Sequence, residues 1–599
     1  MEKNIKIAAL YIILFMMAAP LFAQQASTAS IRIINEFNQP IGGAIIATED
    51  GKNVSLTAKD GTFPLPEIAG GDYLLISASG YQNLRISLDQ IANQEIVLKI
   101  DPHHMGGSVN YGYQSYTRES ITGAVSSVSG AELDKTPSNV LSETYAGRLP
   151  GLTVVSNIAE LTFFGYGNLS KAIRGSSSVN GNNPLLIIDG VIAPTQYVEF
   201  ISPKEIESVS VLKDASATAI YGIQGSSGAI VITTKRGHNG KLNVEGYVDQ
   251  SFQQMTKRPL FINSAQYAEL RNAAGERDGL GPFSQFSEND IEQFRLGSDI
   301  GYPNNNWFDQ YIKDFVMRQR IGVNVSGGSE KFRYFSNLSF VNQGEPFIIA
   351  DEPDRKYNPT PRVNIGNFRT NMDVKFNNYL SGYMRLTGNV KREILAGGGM
   401  GWSIYEQIFQ QPPTMFGPLS PIIEDNPEMS NQVVTVTDLD NPVYGMLNRS
   451  GYRSIIETNV IAQTGLNLNM DFLTKGLSVK GGMAYQTYLR NETNTLQSYK
   501  RVLRGDDFST LTDFSTYKSF ENTPLSYGKG STFFYYLNLL ASVDYNRRFG
   551  DHSIDASAHT YYLKQEKETA GSSNTVLPYM RQNYGVTVLY GYKDRYFLK

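Results

Sequence analysis

Not one cysteine occurs in the 599 residues, which excludes a disulfide scaffold, a thiolate metal site and a cysteine nucleophile. Histidine (5) and tryptophan (2) are almost missing. The one His pair, His103-His104, lies in a polar stretch and reads as solvated linker rather than as a metal site. No H-E-x-x-H motif occurs either, so no metal or cofactor is expected. Charge is thin: 18% of residues are charged and the formal net charge is −4. Such a chain has no field to gather a polyanion, and a nucleic-acid partner is not expected. No nucleophile–base pair, phosphate loop or working pair of carboxylates stands out, so the chain does not read as an enzyme. Beyond the first residues, no apolar run reaches the roughly 18 residues that a spanning helix needs.

What is present is Tyr (36), Phe (30) and Gly (55), a mixture that favours strands and turns. At the N-terminus Lys3 and Lys6 precede an apolar run, Ile7 to Ala19, and then Pro20-Leu21-Phe22-Ala23. This predicts a secretory leader over residues 1–23 and an exported protein. Residues 24–100 carry short apolar runs (Ile31-Arg32-Ile33-Ile34, Ala44-Ile45-Ile46-Ala47, Tyr73-Leu74-Leu75-Ile76-Ser77) separated by turns at Asn38-Gln39-Pro40, Lys59-Asp60-Gly61 and Gly70-Gly71-Asp72. That spacing predicts a β-sandwich. A polar linker, 101–119, follows.

Residues 120–238 are mixed α/β. Ser202-Pro203-Lys204-Glu205 has the order of a capped helix start, and Ser208 to Leu212 reads as a strand. Asp214 is placed to cap a short helix, Ala215 to Tyr221, that Gly222 ends. Gly228 to Thr234 reads as a buried strand, and Asp189-Gly190 as a turn between apolar strands.

From 239 to 599 the pattern alternates. Phe368, Thr370, Met372 and Val374 share one face; Arg369, Asn371, Asp373 and Lys375 share the other. Leu380, Met384, Leu386 and Val390 likewise oppose Ser381, Arg385, Asn389 and Lys391. Each run approximates the 9–11 residues of a tilted membrane-crossing strand. Short connections at 327–330, 377–379, 474–476, 547–551 and 593–595 alternate with long ones at about 254–316, 344–366, 392–455, 491–530 and 566–580. An outer-membrane barrel has this rhythm, tight on one side and long on the other.

Two family resemblances follow from particular residues. "GGDYLLISASGYQNLRISL" in 24–100 resembles the carboxypeptidase regulatory-like domain that precedes many exported proteins. Ile173-Arg174-Gly175, Asn183 to Val191 (with Asp189-Gly190), Ile206 to Val209, Val211 to Gly222 (with Lys213-Asp214 and Tyr221-Gly222) and Gly228 to Gly237 resemble the plug signature of SusC/RagA-type TonB-dependent outer-membrane transporters. Thr122 to Val128, Asn306-Trp307, Val325 to Gly328 and Phe368 to Asp373 continue the likeness on either side of it.

The resemblance implies a mainly β chain: an N-terminal sandwich in the periplasm, a mixed α/β plug at 120–238, and the first part of a transmembrane barrel at 239–599. It implies residence in the outer membrane of a Gram-negative, Bacteroidetes-like cell, in contact with outer-membrane lipid. It also implies import of oligosaccharide, or peptide, driven by a TonB-type energy-transducing complex, with a SusD-like surface lipoprotein as lid. Arg174, Gly175, Asp189, Gly190, Lys213, Asp214, Tyr221 and Gly222 are then the plug-motif residues. The TonB-box candidate is Val109-Asn110-Tyr111-Gly112-Tyr113, where the family's Val-rich run is reduced to Val109, Tyr111 and a Gly-Tyr pair. Aromatics of the long connections, such as Trp402 and Tyr405, would suit stacking on sugar rings or packing within the loops. About ten strands and the opening of an eleventh are countable, against about 22 in plugged transporters, so an N-terminal fragment or truncated product is expected. Two other readings stay open: a lid-less receptor for an iron chelate or cobalamin, and an exported adhesin without a pore.

Overall fold

The structure, a computed structural model, describes residues 30–35, 40–48, 54–64, 73–78, 81, 84–87, 95–98, 109–112, 115–116, 120–136, 138, 140–155, 170–175, 183–194, 201–279, 281, 285–399, 401–569, 577–593 and 595–599. The expected leader, the His103-His104 pair, most of the linker and Tyr113 lie outside these residues. The chain divides into two compact units, Met1–Val109 with Thr117–Glu119, and Asn110–Tyr116 with Ser120–Lys599.

The first unit contains β1 (Ser30–Asn35), β2 (Ile45–Thr48), β3 (Val54–Leu56), β4 (Thr62–Pro64), β5 (Tyr73–Ser77), β6 (Leu84–Ser87) and β7 (Glu95–Leu98). They form two sheets, β4-β1-β7 and β3-β2-β5-β6. Along β5 burial alternates residue by residue, with Leu74 and Ile76 inward, as a one-sided strand requires. Those two residues meet Ile33, Phe63 and Ile96 of the other sheet in one core. The expected sandwich is present.

Two very short strands follow: β8 (Val109–Asn110), where the first unit gives way to the second, and β9 (Ser115–Tyr116) in the second. The plug strands are β10 (Val125–Ser129), β11 (Leu152–Val155), β12 (Ser170–Ile173), β13 (Leu185–Ile188), β14 (Val191–Ile192), β15 (Ile206–Leu212) and β16 (Ala229–Thr234). Five make one sheet in the order β10-β15-β16-β13-β14, with β13 and β16 parallel. β16 is buried at all but one of its positions. This explains why its sequence is a continuous apolar run: a strand covered on both faces has no polar side to show.

Asp214 caps the turn Ala215–Thr218 as expected, accepting from the Ala217 amide at 2.8 Å. The helix expected at Ser202 is corrected to a single 3-10 turn, Pro203–Glu205. Ser202 does cap it, but the Glu205 carboxylate is drawn away to an arginine of the wall, so no reciprocal capping box forms.

The wall is one antiparallel sheet. Its strands are β17 (Gly240–Gln253), β18 (Val316–Gly328), β19 (Phe332–Gly344), β20 (Arg362–Lys375) and β21 (Leu380–Ala396); then, after β22 (Val433–Thr435) in a long connection, β23 (Gly451–Asn469) and β24 (Leu477–Leu496). Past β25 (Arg501–Arg504) and β26 (Phe514–Thr516) come β27 (Ser526–Phe549), β28 (His552–Thr569), β29 (Tyr579–Tyr592) and β30 (Tyr596–Leu598). Eleven of these pair in chain order, each with its sequence neighbour in the wall. The expected short and long connections fall where the alternation puts them. The strands are longer than the expected 9–11 residues, up to 24 in β27, because the hydrogen-bond ladder continues beyond the apolar band.

The wall is inside out relative to a soluble protein. On β20, Arg369 and Asn371 are buried while Phe368 is exposed; Leu338 is 62% exposed and Leu466 53%. Neighbouring strands repeat this arrangement, with Asn337, Arg385, Asn389, Asn459, Gln463, Gln486 and Asn538 all buried. Apolar side chains turned outward and carboxamides and guanidiniums turned inward suit a hydrocarbon exterior and a polar interior. Among the described residues no helix is long and apolar enough to cross a membrane. Crossing by strands satisfies the backbone through the ladder instead.

The long connections fold together. Trp307, Phe308, Tyr311, Phe347, Ile404, Ile408, Met446 and Leu447 form one core, and β22, β25 and β26 make a small sheet. Tyr405, one candidate for sugar stacking, is turned into this layer, edge-on to Phe409 at 5.0 Å and to Phe308 at 6.1 Å. Its role there is loop packing.

Candidate functional site

The plug touches the wall through polar groups at the C-terminal ends of β13 and β16. β13 ends in Asp189-Gly190, both with positive φ (49° and 86°). The turn points the Asp189 side chain back along the sheet, where its two oxygens accept from the Thr234 amide (3.0 Å) and hydroxyl (2.6 Å). Asn371 of β20 donates to the same Thr234 hydroxyl at 2.9 Å and to the Lys235 carbonyl at 2.7 Å. Arg385 of β21 and Gln463 of β23 donate to the Asp189 carbonyl at 3.1 and 3.2 Å. Asn371, Arg385 and Gln463 are cross-strand partners in register. One straight row on the inward face of three strands therefore closes on one turn of the plug.

Arg369 sits one step along β20 on that inward face. Its Nε donates to Glu205 Oε2 at 2.7 Å and its Nη1 lies 3.8 Å from Asp189 Oδ2. Arg369 and Glu205 are each 2% exposed. Farther along the wall, Arg320 reaches Asp134 of the plug at 3.4 Å and Asp249 of β17 at 2.6 Å, and Lys204 meets Asp134 at 2.7 Å. Each of these plug carboxylates has a cation beside it, and each wall arginine named is satisfied by a plug acid or carbonyl. Removing Arg369 would leave the Glu205 carboxylate uncompensated in a dry place.

Burial alone would raise the Asp189 carboxyl, but the Arg385 and Arg369 guanidiniums and the Thr234 hydrogen bonds outweigh it and hold it below its ordinary value. A carboxyl depressed in the folded state contributes stability above its unfolded pKa and loses it as pH falls through the folded one. Melting of the protein in detergent is therefore expected to be insensitive to this group from neutral pH down to its ordinary value of 3.8, and to fall below that. Asp189→Asn should flatten this acid limb. An unchanged limb would show that Asp189 is not held as an anion.

Segment 110–116 docks beside this turn. Asn110 donates from Nδ2 to the Thr233 hydroxyl at 3.1 Å, and its Oδ1 accepts the Gly112 amide at 2.7 Å. The Tyr221 hydroxyl, fully buried, donates to the Tyr111 carbonyl. Gly112 has φ 93°, and a Cβ there would run into the Tyr221 hydroxyl; a Cβ at Gly190 would meet the Gly112 carbonyl at 2.8 Å. Tyr111 and Tyr116 pack edge to face at 5.1 Å. Burial, with the Asp214 carboxylate second, pushes the Tyr111 phenol up to about 12. A cavity of about 150 Å³ remains at this junction, lined among others by Asn110, Gly112, Asp189, Gly190, Arg385 and Gln463.

The residues singled out by sequence separate into two groups. Asp189, Gly190, Tyr221, Asn110, Tyr111 and Gly112 come together at the junction. The others set plug geometry elsewhere. Arg174 and Gly175 make a left-handed turn after β12 (φ 56° and 90°), Lys213 donates to the Pro150 carbonyl at 3.2 Å, and Asp214 caps its helix while accepting the Ala124 amide at 2.6 Å. Gly222 (φ 59°) breaks the following 3-10 run. Val109 belongs to the first compact unit. Nothing in the local sequence marks Glu205, Thr234 or Arg369 as site residues. The alternation of β20 does mark Arg369 as inward, but no local signal names its partner.

The plug carries a match, over residues 117–229, to the family described as "TonB-dependent Receptor Plug Domain". Among curated proteins, the chain is 28% identical over 372 residues to the TonB-dependent receptor SusC of Bacteroides thetaiotaomicron; the match covers 60% of this chain and 34% of that one. A TonB-dependent receptor of Formosa agariphila is 29% identical over 345 residues, covering 57% of this chain and 32% of that one. The chain thus spans about a third of the length of these relatives. In fold it resembles the RagAB peptide importer, with a TM-score of 0.58 and 15% identity in its open-open state, over 81% of this chain and 55% of that one. The closed-closed state gives 0.56. TonB-dependent receptors are proteins of the Gram-negative outer membrane and are not enzymes. By its plug, its wall and these relatives, the chain carries a TonB-dependent receptor plug and resembles the TonB-dependent receptors of the SusC/RagA type.

Proposed function

We propose that the protein takes up oligosaccharide or peptide through the outer membrane, with a TonB-type complex supplying the work and a SusD-like lipoprotein closing the outer side. The observation that carries this reading is the buried charge pairing between plug and wall. A pore wide enough for an oligomer is obstructed by a folded unit held through Glu205–Arg369, Asp189–Arg369 and Asp134–Arg320 contacts. Displacing it breaks these contacts together, and the outer membrane has no ATP with which to do that work. The work has to come from the periplasm along the chain.

Segment 109–113 is the handle in this reading. It is short, and a partner can grip it, once drawn out, by adding a strand to a sheet edge, a mode tolerant of sequence. Its docking on Tyr221 and Thr233 connects a pull on this segment directly to the plug sheet. The sandwich at 24–100 is then a periplasmic extension. Peptide stands beside oligosaccharide as cargo because the RagAB structures of similar fold are those of a peptide importer. The test is deletion of Val109–Tyr113 in cells supplied with labelled oligosaccharides and peptides. Uptake should stop while surface binding persists. Uptake at the undiminished rate would overturn the energy-coupled reading.

A further inference from the structure

The outward face of the wall is largely apolar from its tight turns upward, with Ser336, Thr370, Thr458 and Thr464 among it, until one row turns polar at all but one position. Through the strand registers, Gln319, Asn342, Asn364, Arg392, Ile456, Asn491 and Ser531 stand directly opposite one another across seven strands. Asn342 donates to Asn364 at 2.7 Å and Ser531 to Asn491 at 2.9 Å, so the row is partly hydrogen-bonded along its length. Immediately below it on the same face are Phe340, Gly366, Val390, Leu489 and Phe533, and immediately above it on β20 is Arg362.

The height of this row is fixed by geometry. Asn364 lies ten residues along β20 from Val374, the last outward residue before the tight turn. At about 3.3 Å per residue and a tilt of about 40°, that is a rise of about 25 Å, the height of the apolar band of an outer-membrane barrel. The row thus stands at the upper edge of the hydrocarbon.

Arg362 and Arg392 are the cations there. They are diagonal neighbours on one face of the β20–β21 pair. Arg392 is exposed, Arg362 half-exposed, and neither has an ion-pair or hydrogen-bond partner among the described residues. The inward arginines 320, 369 and 385 are all engaged. One strand over, where Gly344 stands opposite Arg362, a cavity of about 640 Å³ opens on the outward rim, with Asn342, Gln319 and Lys313 among its polar lining and Phe315, Met317 and Ile348 among its apolar lining. The acids that line it, Asp309 and Asp314, are already bound by Arg258.

We propose that Arg362 and Arg392, with Asn364, Asn342 and the adjoining cavity, bind the phosphate-bearing saccharide headgroup of an outer-leaflet lipid. Two guanidiniums can each take a phosphate oxygen pair, the carboxamides serve sugar hydroxyls, and the apolar side of the cavity continues into acyl chains. The charge is complementary and the height is right. A free anion would gain only the guanidiniums, whereas a lipid headgroup engages all three features. This inference rests on the outer-membrane reading of the wall.

The test is native mass spectrometry of the full protein extracted in mild detergent and titrated with lipid A or with lipid A stripped of its phosphates. Phosphorylated lipid A should bind at least about tenfold more tightly than the stripped form, and the double variant R362Q/R392Q should lose about that factor, as expected for two interfacial cations. Arg547→Gln, at the opposite edge of the wall, should change nothing. Equal binding of the two lipids, an unaffected double variant, or full displacement by millimolar inorganic phosphate would each overturn the site. Failure of the protein to enter bilayers of either lipid would overturn the membrane reading together with this inference; normal insertion with equal binding overturns this inference alone.

Discussion

Arg369→Ala is expected to destabilise the seating of the plug by about 3–5 kcal/mol, the cost of leaving a buried charge without its partner. Glu205 would keep its carboxylate in a place that is 2% exposed, with its 2.7 Å partner gone, and Asp189 would lose one of its two nearby guanidiniums. The effect should appear as earlier thermal release of the plug and faster proteolysis within 120–238, while the wall ladder keeps its own melting. The control is the pair E205Q/R369M. Removing both charges together should recover most of the loss, because the pair's mutual attraction is largely offset by what both ions forfeit in leaving water. If the single variant melted like the parent, the pair would be ornamental, and the plug would be held by shape alone.

Gly112→Ala is expected to undock segment 110–116. The site demands φ 93°, a conformation that costs a residue with a Cβ about 1–3 kcal/mol, and that Cβ would also collide with the Tyr221 hydroxyl. Hydrogen exchange at the Gly112 amide, now bonded to Asn110 Oδ1, should accelerate by about one to two orders of magnitude, following the loss of a few kcal/mol. Tyr221→Phe separates the two causes. Alone, it leaves the buried Tyr111 carbonyl without its donor and should loosen the segment less. Combined with Gly112→Ala, it relieves the collision but not the backbone strain, so the double variant should lie between the parent and Gly112→Ala. A parent-like exchange rate in Gly112→Ala would mean that the segment is not held by this contact.

Much of this architecture can be read in the residues. The alternation around Phe368–Lys375 separates an oily from a polar face, and the structure turns those faces as a lipid-facing wall requires. The caps at Ser202 and Asp214 are legible because capping chemistry is local. Glu205 marks where locality ends. Its position three residues after Ser202 suits a capping box, yet a guanidinium 164 residues away outcompetes the backbone. A charge-assisted bond in a dry site outweighs a cap on a neutral amide, and only the fold brings the two together. The layer built by the long connections was hidden differently. Ser287 and Asp290 form a capping box and Gly297 a left-handed stop, so single helices there are readable. The core around Trp307 and Met446 joins other segments of these connections that no period connects.

The central claim is that residues 120–238 occupy the polar interior of the wall and must move for cargo to pass. The absence of cysteine makes this directly testable. Thr234→Cys and Asn371→Cys, placed where the native side chains are 2.9 Å apart, are bridged in cells by a short reducible thiol cross-linker. With the bridge closed, uptake of labelled oligosaccharide and peptide should fall to background, and it should return when the bridge is reduced. Full uptake through the bridged protein, or failure of these two thiols to bridge at all, would contradict the account.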